Sequence, residues 1–586
     1  MSFTSHGDEL AVRLADALGG QVYHCGSASK AESAPDLLPR LFLKGTPIVG
    51  VCATGILVRL LAPILDNKHE EPPVIAVSGD GKHVVPVLGG HRGANALARK
   101  IAHITGGAAA ITTASDTRFS RALDEPPCGY VLADPEPVKP AMAAILNGAS
   151  IRLEGTAPWL AKSGYPLAED GQVSIAVSEK IADGEMLTYH PNTLVAGMGC
   201  ARGASGEEVI ALLEKTLGQT GLAPQCLAAI ATIDIKSDET ALHTAARHFG
   251  VPLRLFSAAE LAEERDRVPN PSKVVKAETG TPSVAEAAAI KAGQLLVAKQ
   301  KTKNATCAIG RASAPLDVSA FGTTPGQLHI VGIGPGEACQ RTGSATDALK
   351  AASDWVGYGL YLDLIGDLHG KQNQHRFALG DEEKRVRHAL ELAATGKNVA
   401  LVCSGDGQIY AMAALVFELL HAEGSRAVSA AAHRVLVESH PGISALQMAS
   451  ARAGALLGHD FCAISLSDLL TPREQIEARL QAAAKADFVV AFYNPRSKRR
   501  TDLLDRAKAF FLEHRPPETP VIVASNLGRA DEKLRVVELQ HFNPETVDML
   551  TIVLFGSSQS RAILRGDGTS VAYTPRGYAN KEGSIK

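Results

Sequence analysis

The sequence predicts an α/β, multidomain chain, on three observations. Its 586 residues exceed what one hydrophobic core organises, and at about 150 residues per domain they suggest roughly four domains. Short apolar runs alternate with helical patterns along the chain, the signature of sheets covered by helices. Glycine-bearing turns directly follow several of those runs, at the strand ends where open α/β sheets bind ligands.

In chain order, "TPIVGVCATG" and "PPVIAVS" read as buried strands and "GANALARKIAHITGG" as a helix ended by glycine, which places a first α/β domain at 1–124. Residues 125–190 are rich in Pro and Gly and read as an irregular middle region. "NTLVAGMGCARGASGEEVIALLEKTLGQTG" then opens a strand, turn and helix, with Ser205 and Glu208 spaced as a capping box. "LAAIATIDIKS" and "ATCAIGRA" supply further strands of a second α/β domain, 191–312. "ASAPLDVSAFGTTPGQ" has a linker's composition and is assigned to 313–326. Beyond it "LHIVGIG", "NVALVCSG", "RVLVES", "DFVVAFYN", "PVIVASN" and "DMLTIVLFG" are strand candidates, dividing into lobes at 327–433 and 434–578.

Apolar content of 45% with 21% charged residues is that of an ordinary globular protein, and a net charge of −3 supplies no global attraction for nucleic acid. A small-molecule substrate is expected. The segment "MSFTSHGDELAVRLADALGG" has neither a basic n-region nor an apolar h-region, and no run reaches the roughly 18 apolar residues of a membrane span. The expected location is cytoplasmic, without a membrane partner. The nine cysteines are scattered, with no C-x-x-C pair and no zinc-ligand spacing, so they read as reduced thiols and no metal site is expected.

The segment "QLHIVGIGPGEACQ" (327–340) carries the most bare backbone. It fails the dinucleotide fingerprint G-x-G-x-x-G, because Glu337 stands where the third glycine belongs. "GMGCARG" fails in the same way at Arg202, and no G-x-x-x-x-G-K-[ST] occurs. Pro335 fixes φ and removes a donor, so the loop suits close approach of a large flat ligand or a sulfonium cofactor rather than a wrapped phosphate. Further turns follow later strands at "VCSGDGQIYAMA", "VESHPGISALQMA", "AFYNPRSKRR", "ASNLGRA" and "LFGSSQSR".

This set of turns resembles the tetrapyrrole methyltransferase superfamily, the class III S-adenosylmethionine enzymes, in which G-x-G-P-G, G-D-x-x-x-Y and P-G-I-S recur in this order. Within it, "GHDFCAISLSDLLTP" (458–472) and "YNPRSKRR" resemble the precorrin-3B C(17)-methyltransferases, which contract the macrocycle in cobalamin synthesis. The resemblance covers about 327–576 and implies a two-lobed fold, a tetrapyrrole substrate, S-adenosylmethionine as cofactor and a homodimer. Two departures stand out: the usual Asp after G-P-G is Glu337, and the S-G-D turn continues as Gly407-Gln408. Over about 40–312 the chain resembles the cobalt-precorrin-5A hydrolases, which open a lactone and release a two-carbon aldehyde. That likeness rests on "GVCATGILVRLLAPIL", "VPVLGGHRGANALA", "GMGCARGAS", "TIDIKSDE" and "TGTPSVAEAAA". The implied whole is a fusion of two enzymes of one pathway, with a non-catalytic module for binding corrinoid intermediates as the other reading of the N-terminal half.

The methyltransferase resemblance implies cofactor contacts at Gly334, Pro335, Gly336, Gly405, Asp406, Ile409, Tyr410, Ser444, Ala445, Tyr493, Asn494 and Asn526. Asp406 could instead cap a helix and Tyr410 fill a core. Arg496, Lys498, Arg499 and Arg500 are either a solvated face or a basic rim for the substrate's carboxylates. Glu337 is the candidate base of the contraction step, or else a surface acid. In the N-terminal half, Gly89, Gly90, His91, Arg92 and Asn95 place an imidazole, a guanidinium and an amide at a helix start, as if to hold a carboxylate or oxyanion; His91 and Arg92 are the catalytic candidates, and a helix cap with an exposed His is the other reading. Cys200 is a nucleophile or a buried thiol, and Asp234, Lys236 and Glu239 are polar candidates or an ion pair on an exposed face.

Overall fold

A computed structural model describes residues 1–25, 33–67, 70–112, 118–184, 186–497 and 501–578. The chain divides into two compact units, one of Met1–Thr232, Thr240–Leu253 and Ala258–Phe321, the other of Gly322–Lys586 with the short segments Ile233–Glu239 and Arg254–Ser257. No helix among the described residues is long and apolar enough to cross a membrane.

The first unit begins with a four-stranded sheet of β1 (Ile48–Val51), β2 (Val74–Val77), β3 (His83–Leu88) and β4 (Ala108–Ala109), in the order β1-β2-β3-β4. The apolar runs of the sequence become β1 and β2. Helix Ala94–Thr105 lays Ala94, Ala98 and Ile101 against Ile75, Val77 and Val84, then ends at Gly106 with φ +72°. Glycine accepts that left-handed C-cap without a Cβ penalty.

The middle region is not irregular. It holds β5 (Tyr130–Leu132), β6 (Ile151–Glu154), β7 (Val173–Val177) and β8 (Leu187–Pro191) in the order β5-β8-β7-β6. Its core is built on Trp159 packed edge-on to Tyr189, with ring centroids 5.2 Å apart. Strands such as "IRLE" and "LTYHP" mix polar residues and a terminal proline into four or five positions. Such short segments leave no apolar run for the eye, and the fold is set by aromatic burial instead.

A five-stranded sheet follows, made of β9 (Leu194–Cys200), β10 (Leu227–Ile233), β11 (Leu253–Phe256), β12 (Gln294–Lys301) and β13 (Ala305–Arg311), in the order β11-β10-β9-β13-β12. Ser205 is the N-cap of helix Gly206–Thr220, but its side chain makes no capping bond. Glu208 turns away from the cap and accepts from Thr302 Oγ1, from Asn304 N–H at 2.9 Å and from Asn304 Nδ2 at 3.0 Å. Three donors on the turn between β12 and β13 outcompete the single N–H a capping box offers, and they hold the Glu208 carboxyl below its usual range.

In the second unit β14 (Gln327–Gly332), β15 (Asp354–Tyr358), β16 (Asn373–Phe377), β17 (Asn398–Cys403) and β18 (Leu436–His440) form an all-parallel sheet in the order β16-β15-β17-β14-β18. The strand period of two separates its faces. Leu328, Ile330, Val399 and Leu401 meet helices Glu382–Ala394 and Ala413–His421, while Val331, Ala400 and Val402 meet helix Gly343–Ala351. With both faces covered, the ends of β14, β17 and β18 are left to carry the three glycine turns.

The second lobe comprises β19 (Gly454–Ala455), β20 (Phe461–Ser465), β21 (Val489–Tyr493), β22 (Pro520–Ser525), β23 (Lys533–Glu538), β24 (Thr551–Phe555), β25 (Arg561–Leu564) and β26 (Ser570–Tyr573). These pair as a mixed sheet β20-β21-β24-β22-β23 and a small sheet β19-β26-β25. Phe492, Phe511 and Phe542 all meet Phe555 edge-on, with centroids 4.9 to 5.5 Å apart.

Because both lobes of the second unit carry their own cores, a fragment of residues 322–586 is expected to fold and, if the resemblance holds, to bind S-adenosylmethionine within about tenfold of the full chain. Leu316 N–H donates to Asn192 O at 2.9 Å, which ties the start of the 313–326 segment to the first unit and favours cutting after it. Circular dichroism and calorimetry on the fragment check this; a folded fragment with no cofactor affinity would make the fusion obligatory.

Candidate functional site

The three turns of the parallel sheet are stitched to one another through backbone. Gly334 N–H donates to Gly405 O at 3.1 Å, and Gly405 N–H returns to Gly334 O at 2.8 Å. A Cβ placed on Gly332 would lie 2.7 Å from Gly405 O and 2.8 Å from Gly442 N, closer than real Cβ contacts. A Cβ on Gly336 would lie 2.7 Å from Gly528 O, so the G-P-G turn also touches the "NLGR" turn of the second lobe.

Asp406 fixes two of these turns. Its carboxylate is buried, with Oδ1 accepting from Gln408 N–H at 2.8 Å and Oδ2 from Gly442 N–H at 3.1 Å. A carboxylate has about four acceptor positions, so two remain for a ligand's amine or hydroxyl. Asp406→Asn leaves one acceptor and sets an N–H against an N–H whichever way the amide turns. The expected loss is about 1.5–3 kcal/mol, the scale of a hydrogen bond to a charged group, seen as a lower melting temperature. Cofactor affinity measured by calorimetry well below that temperature should fall as well; if only the melting temperature moves, Asp406 is a staple and leaves the ligand set.

Backbone strain gathers at the same place. Among the described residues the non-glycine residues with positive φ are Tyr410 (51°), Asp487 (58°), Asn494 (49°) and Asn526 (52°). All but Asp487 are expected cofactor contacts. Each such residue costs of order 1–3 kcal/mol, and such outliers cluster where a ligand is clamped. Tyr410 Oη donates to Ala463 O at 2.9 Å, and its ring lies 5.1 Å from that of Tyr493. Tyr493 Oη bonds Ser444 Oγ and accepts from Leu446 N–H at 3.2 Å. Burial raises both phenols above their usual value, so both stay neutral donors. Ser444 forms a capping box with Gln447 at the head of helix Ala445–Ala453, and Ile409 and Ala445 pack with Tyr493 on one apolar cluster. Asn494 Nδ2 donates to Ser465 Oγ at 3.1 Å, and Asn526 Nδ2 to Asp531 at 2.9 Å.

Glu337 follows the G-P-G turn and is half-exposed, 3.5 Å from Arg452, which also pairs with Glu532 at 3.3 Å. Glu532 in turn accepts from Gly528 N–H at 2.7 Å. Sequence reasoning missed Arg452 and Glu532, which stand just past the "VESHPGISALQMA" and "ASNLGRA" turns. Arg496 does not form a free basic rim: it donates to Thr501 O at 2.7 Å and pairs with Asp505 at 3.2 Å. A carboxylate nine residues on and a nearby carbonyl satisfy it locally. Lys498, Arg499 and Arg500 lie outside the described residues.

In the first unit Gly89 (φ +75°) and Gly93 (φ +89°) bracket the short turn Gly90–Arg92 before helix Ala94–Thr105. The side chain of His91 lies outside the described residues. Arg92 is exposed and Asn95 buried. Gly93 N–H donates to Glu125 Oε1 at 3.1 Å, so a carboxylate of the chain already sits at this helix start. Cys200 is half-buried at the end of β9. Lys236 and Glu239, in a short segment grouped with the second unit, do pair at 3.6 Å, but with Glu239 only 3% exposed rather than on an open face.

Residues 327–543 match the tetrapyrrole (corrin/porphyrin) methylases, residues 36–116 the cobalamin synthesis G N-terminal family, and residues 194–310 the cobalamin synthesis G C-terminus family. The precorrin-3B C(17)-methyltransferase of Sinorhizobium sp. is 41% identical over 256 residues, 43% of this chain and 98% of that protein. The cobalt-factor III methyltransferase of Priestia megaterium is 38% identical over 256 residues, 44% of this chain, which spans only 46% of that longer protein. Among solved structures, the methyltransferase CobJ is 39% identical, with 100% of its chain covering 43% of this one at a TM-score of 0.38. With 41% identity over nearly the whole of one relative, the chain belongs to the tetrapyrrole (corrin/porphyrin) methylases, fused to both cobalamin synthesis G domains.

Proposed function

We propose that the second unit transfers a methyl group from S-adenosylmethionine to C-17 of precorrin-3B, or of its cobalt-loaded counterpart, with contraction of the ring. The observation that carries this reading is the convergence of the four glycine turns with the strained Tyr410, Asn494 and Asn526. The donor set suits S-adenosylmethionine: bare backbone at Gly334–Gly336, an Asp406 carboxylate with free acceptor positions, and neutral phenols. When bound, the cofactor supplies a methyl whose bond to sulfur breaks as the bond to carbon forms. The chain's own part is alignment of two reactants, which is worth about 7–11 kcal/mol, and proton removal at the substrate hydroxyl, assigned to Glu337. A homodimer through the methylase region belongs to the same reading.

Incubating the full chain with S-adenosylmethionine and either metal-free precorrin-3B or cobalt-factor III, followed by mass analysis, tests it. A once-methylated, ring-contracted product from either substrate is expected. Methylation of neither would overturn the assignment.

For the first unit we propose hydrolysis of the cobalt-precorrin-5A lactone with release of a two-carbon aldehyde, His91 and Arg92 holding the developing charge. The Glu125 carboxylate at Gly93 favours the second reading, a binding module for corrinoid intermediates, since the N–H is already occupied. Aldehyde release by the full chain, lost in Arg92→Ala, supports hydrolysis; binding without release supports the module.

A further inference from the structure

We propose that His329, Glu438 and His440 form a binding site for a Zn2+-class divalent transition metal on the helix-covered face of the parallel sheet, just ahead of the Pro441-Gly442 turn.

His329 lies on β14, and Glu438 and His440 on the neighbouring edge strand β18, where His329 is in register with Glu438 and Val331 with His440. The period of two sets all three on the face that helix Gly343–Ala351 covers, since Val331 packs there and Ser344 of that helix reaches His440. His329 Nδ1 is 2.9 Å from His440 Nε2 and 3.7 Å from Glu438 Oε2, and His440 Nε2 is 4.0 Å from the same oxygen. Two imidazoles and a carboxylate around a tetrahedral ion have ligand atoms about 3.4 Å apart, which these separations bracket.

Three further features fit a metal. His440 Nδ1 is bonded to Ser344 Oγ at 2.7 Å, which fixes the ring and leaves Nε2 for the ion, the usual arrangement of a ligating histidine. The two imidazoles are nearly buried, at 12% and 10% exposure, whereas Glu438 is 68% exposed, which gives the ion an entry side and water a fourth position. Imidazole and carboxylate together favour Zn2+, Co2+ or Ni2+ over Mg2+ or Ca2+. Without an ion the same geometry is a hydrogen bond between the two imidazoles, with Glu438 in solvent.

The sequence gives no hint of it, because the two histidines are 111 residues apart and only the pairing of β14 with β18 joins them.

The test uses the full chain stripped with a chelator and titrated with ZnCl2 by calorimetry and with CoCl2 by visible absorption. One equivalent whose affinity falls at least tenfold in both His329→Ala and His440→Ala is expected, with a loss of about 10–100-fold in the ring-orienting variant Ser344→Ala. The Co2+ form should lack sulfur charge-transfer bands, which separates this site from adventitious binding at the nine cysteines. Glu438→Gln alters an exposed side chain and keeps the test alive if a histidine variant fails to fold. Zn2+ affinity unchanged in all of these variants, or no binding by the wild type, would overturn the site and leave the hydrogen-bonded histidine pair.

Discussion

Gly442→Ala is expected to abolish cofactor binding by prying apart the three turns of the parallel sheet. A Cβ at this position would lie 2.1 Å from Gly405 O and 2.6 Å from Gly332 O. Both are backbone atoms, so no rotamer change relieves the contact. Gly405 cannot yield alone, since it exchanges two hydrogen bonds with Gly334. Gly442 cannot withdraw either without stretching its N–H bond to Asp406. Overpacking of this kind costs at least about 3 kcal/mol when the surroundings cannot give, the upper end of its usual range. The control is Gly343→Ala in helix Gly343–Ala351, where an added methyl meets nothing within 4 Å; alanine is the better helix former there. Thermal melts and calorimetry with S-adenosylmethionine should separate the two variants completely. Wild-type affinity in Gly442→Ala would mean that the turns do not form the cofactor cleft.

How much of this was legible beforehand depends on what holds each element. The six apolar runs beyond the 313–326 segment became β14, β17, β18, β21, β22 and β24, the strands at or near the centre of their sheets except the edge strand β18. Centrally placed strands bury both faces and therefore read as continuous Val, Ile and Leu. The edge strands β16, "NQHRF", and β23, "KLRVVE", escaped notice because solvent lets one face be polar. In the site, the glycines and Asp406 were readable because close backbone approach permits no other residue at such turns. Arg452 and Glu532 were not: their roles come from meeting Glu337 across the fold, and pairing of that kind leaves no local pattern. Arg496 shows the opposite case: a basic residue in such a run reads as a binding rim, and its pairing with Asp505 has no local pattern to announce it.

Glu337→Gln is expected to slow ring contraction about 10²–10⁴-fold, the usual worth of a positioned general base, while leaving the fold nearly untouched. Its side chain and that of Arg452 are 42% and 40% exposed, and a pair in that setting contributes about 0–1 kcal/mol to stability. The effect on rate corresponds to about 3–5 kcal/mol in the barrier, well above the about 0–1 kcal/mol at stake in folding, and the two can be told apart. The position favours the assignment: the G-P-G turn that precedes Glu337 faces Gly528 of the second lobe, so the carboxylate stands at the junction of the two lobes. Arg452 keeps it there, held in its turn by Glu532. Glu337→Asp places the acid usual in the resembling enzymes one methylene further back, and should cost far less than the glutamine variant. Arg452→Ala frees the carboxylate and should lower turnover by a smaller factor with little change in S-adenosylmethionine affinity, as a positioning residue would. Single-turnover contraction at saturating cofactor and substrate is the deciding measurement. A normal rate in Glu337→Gln would move the proton transfer to another group and leave Glu337 as one member of a surface charge network.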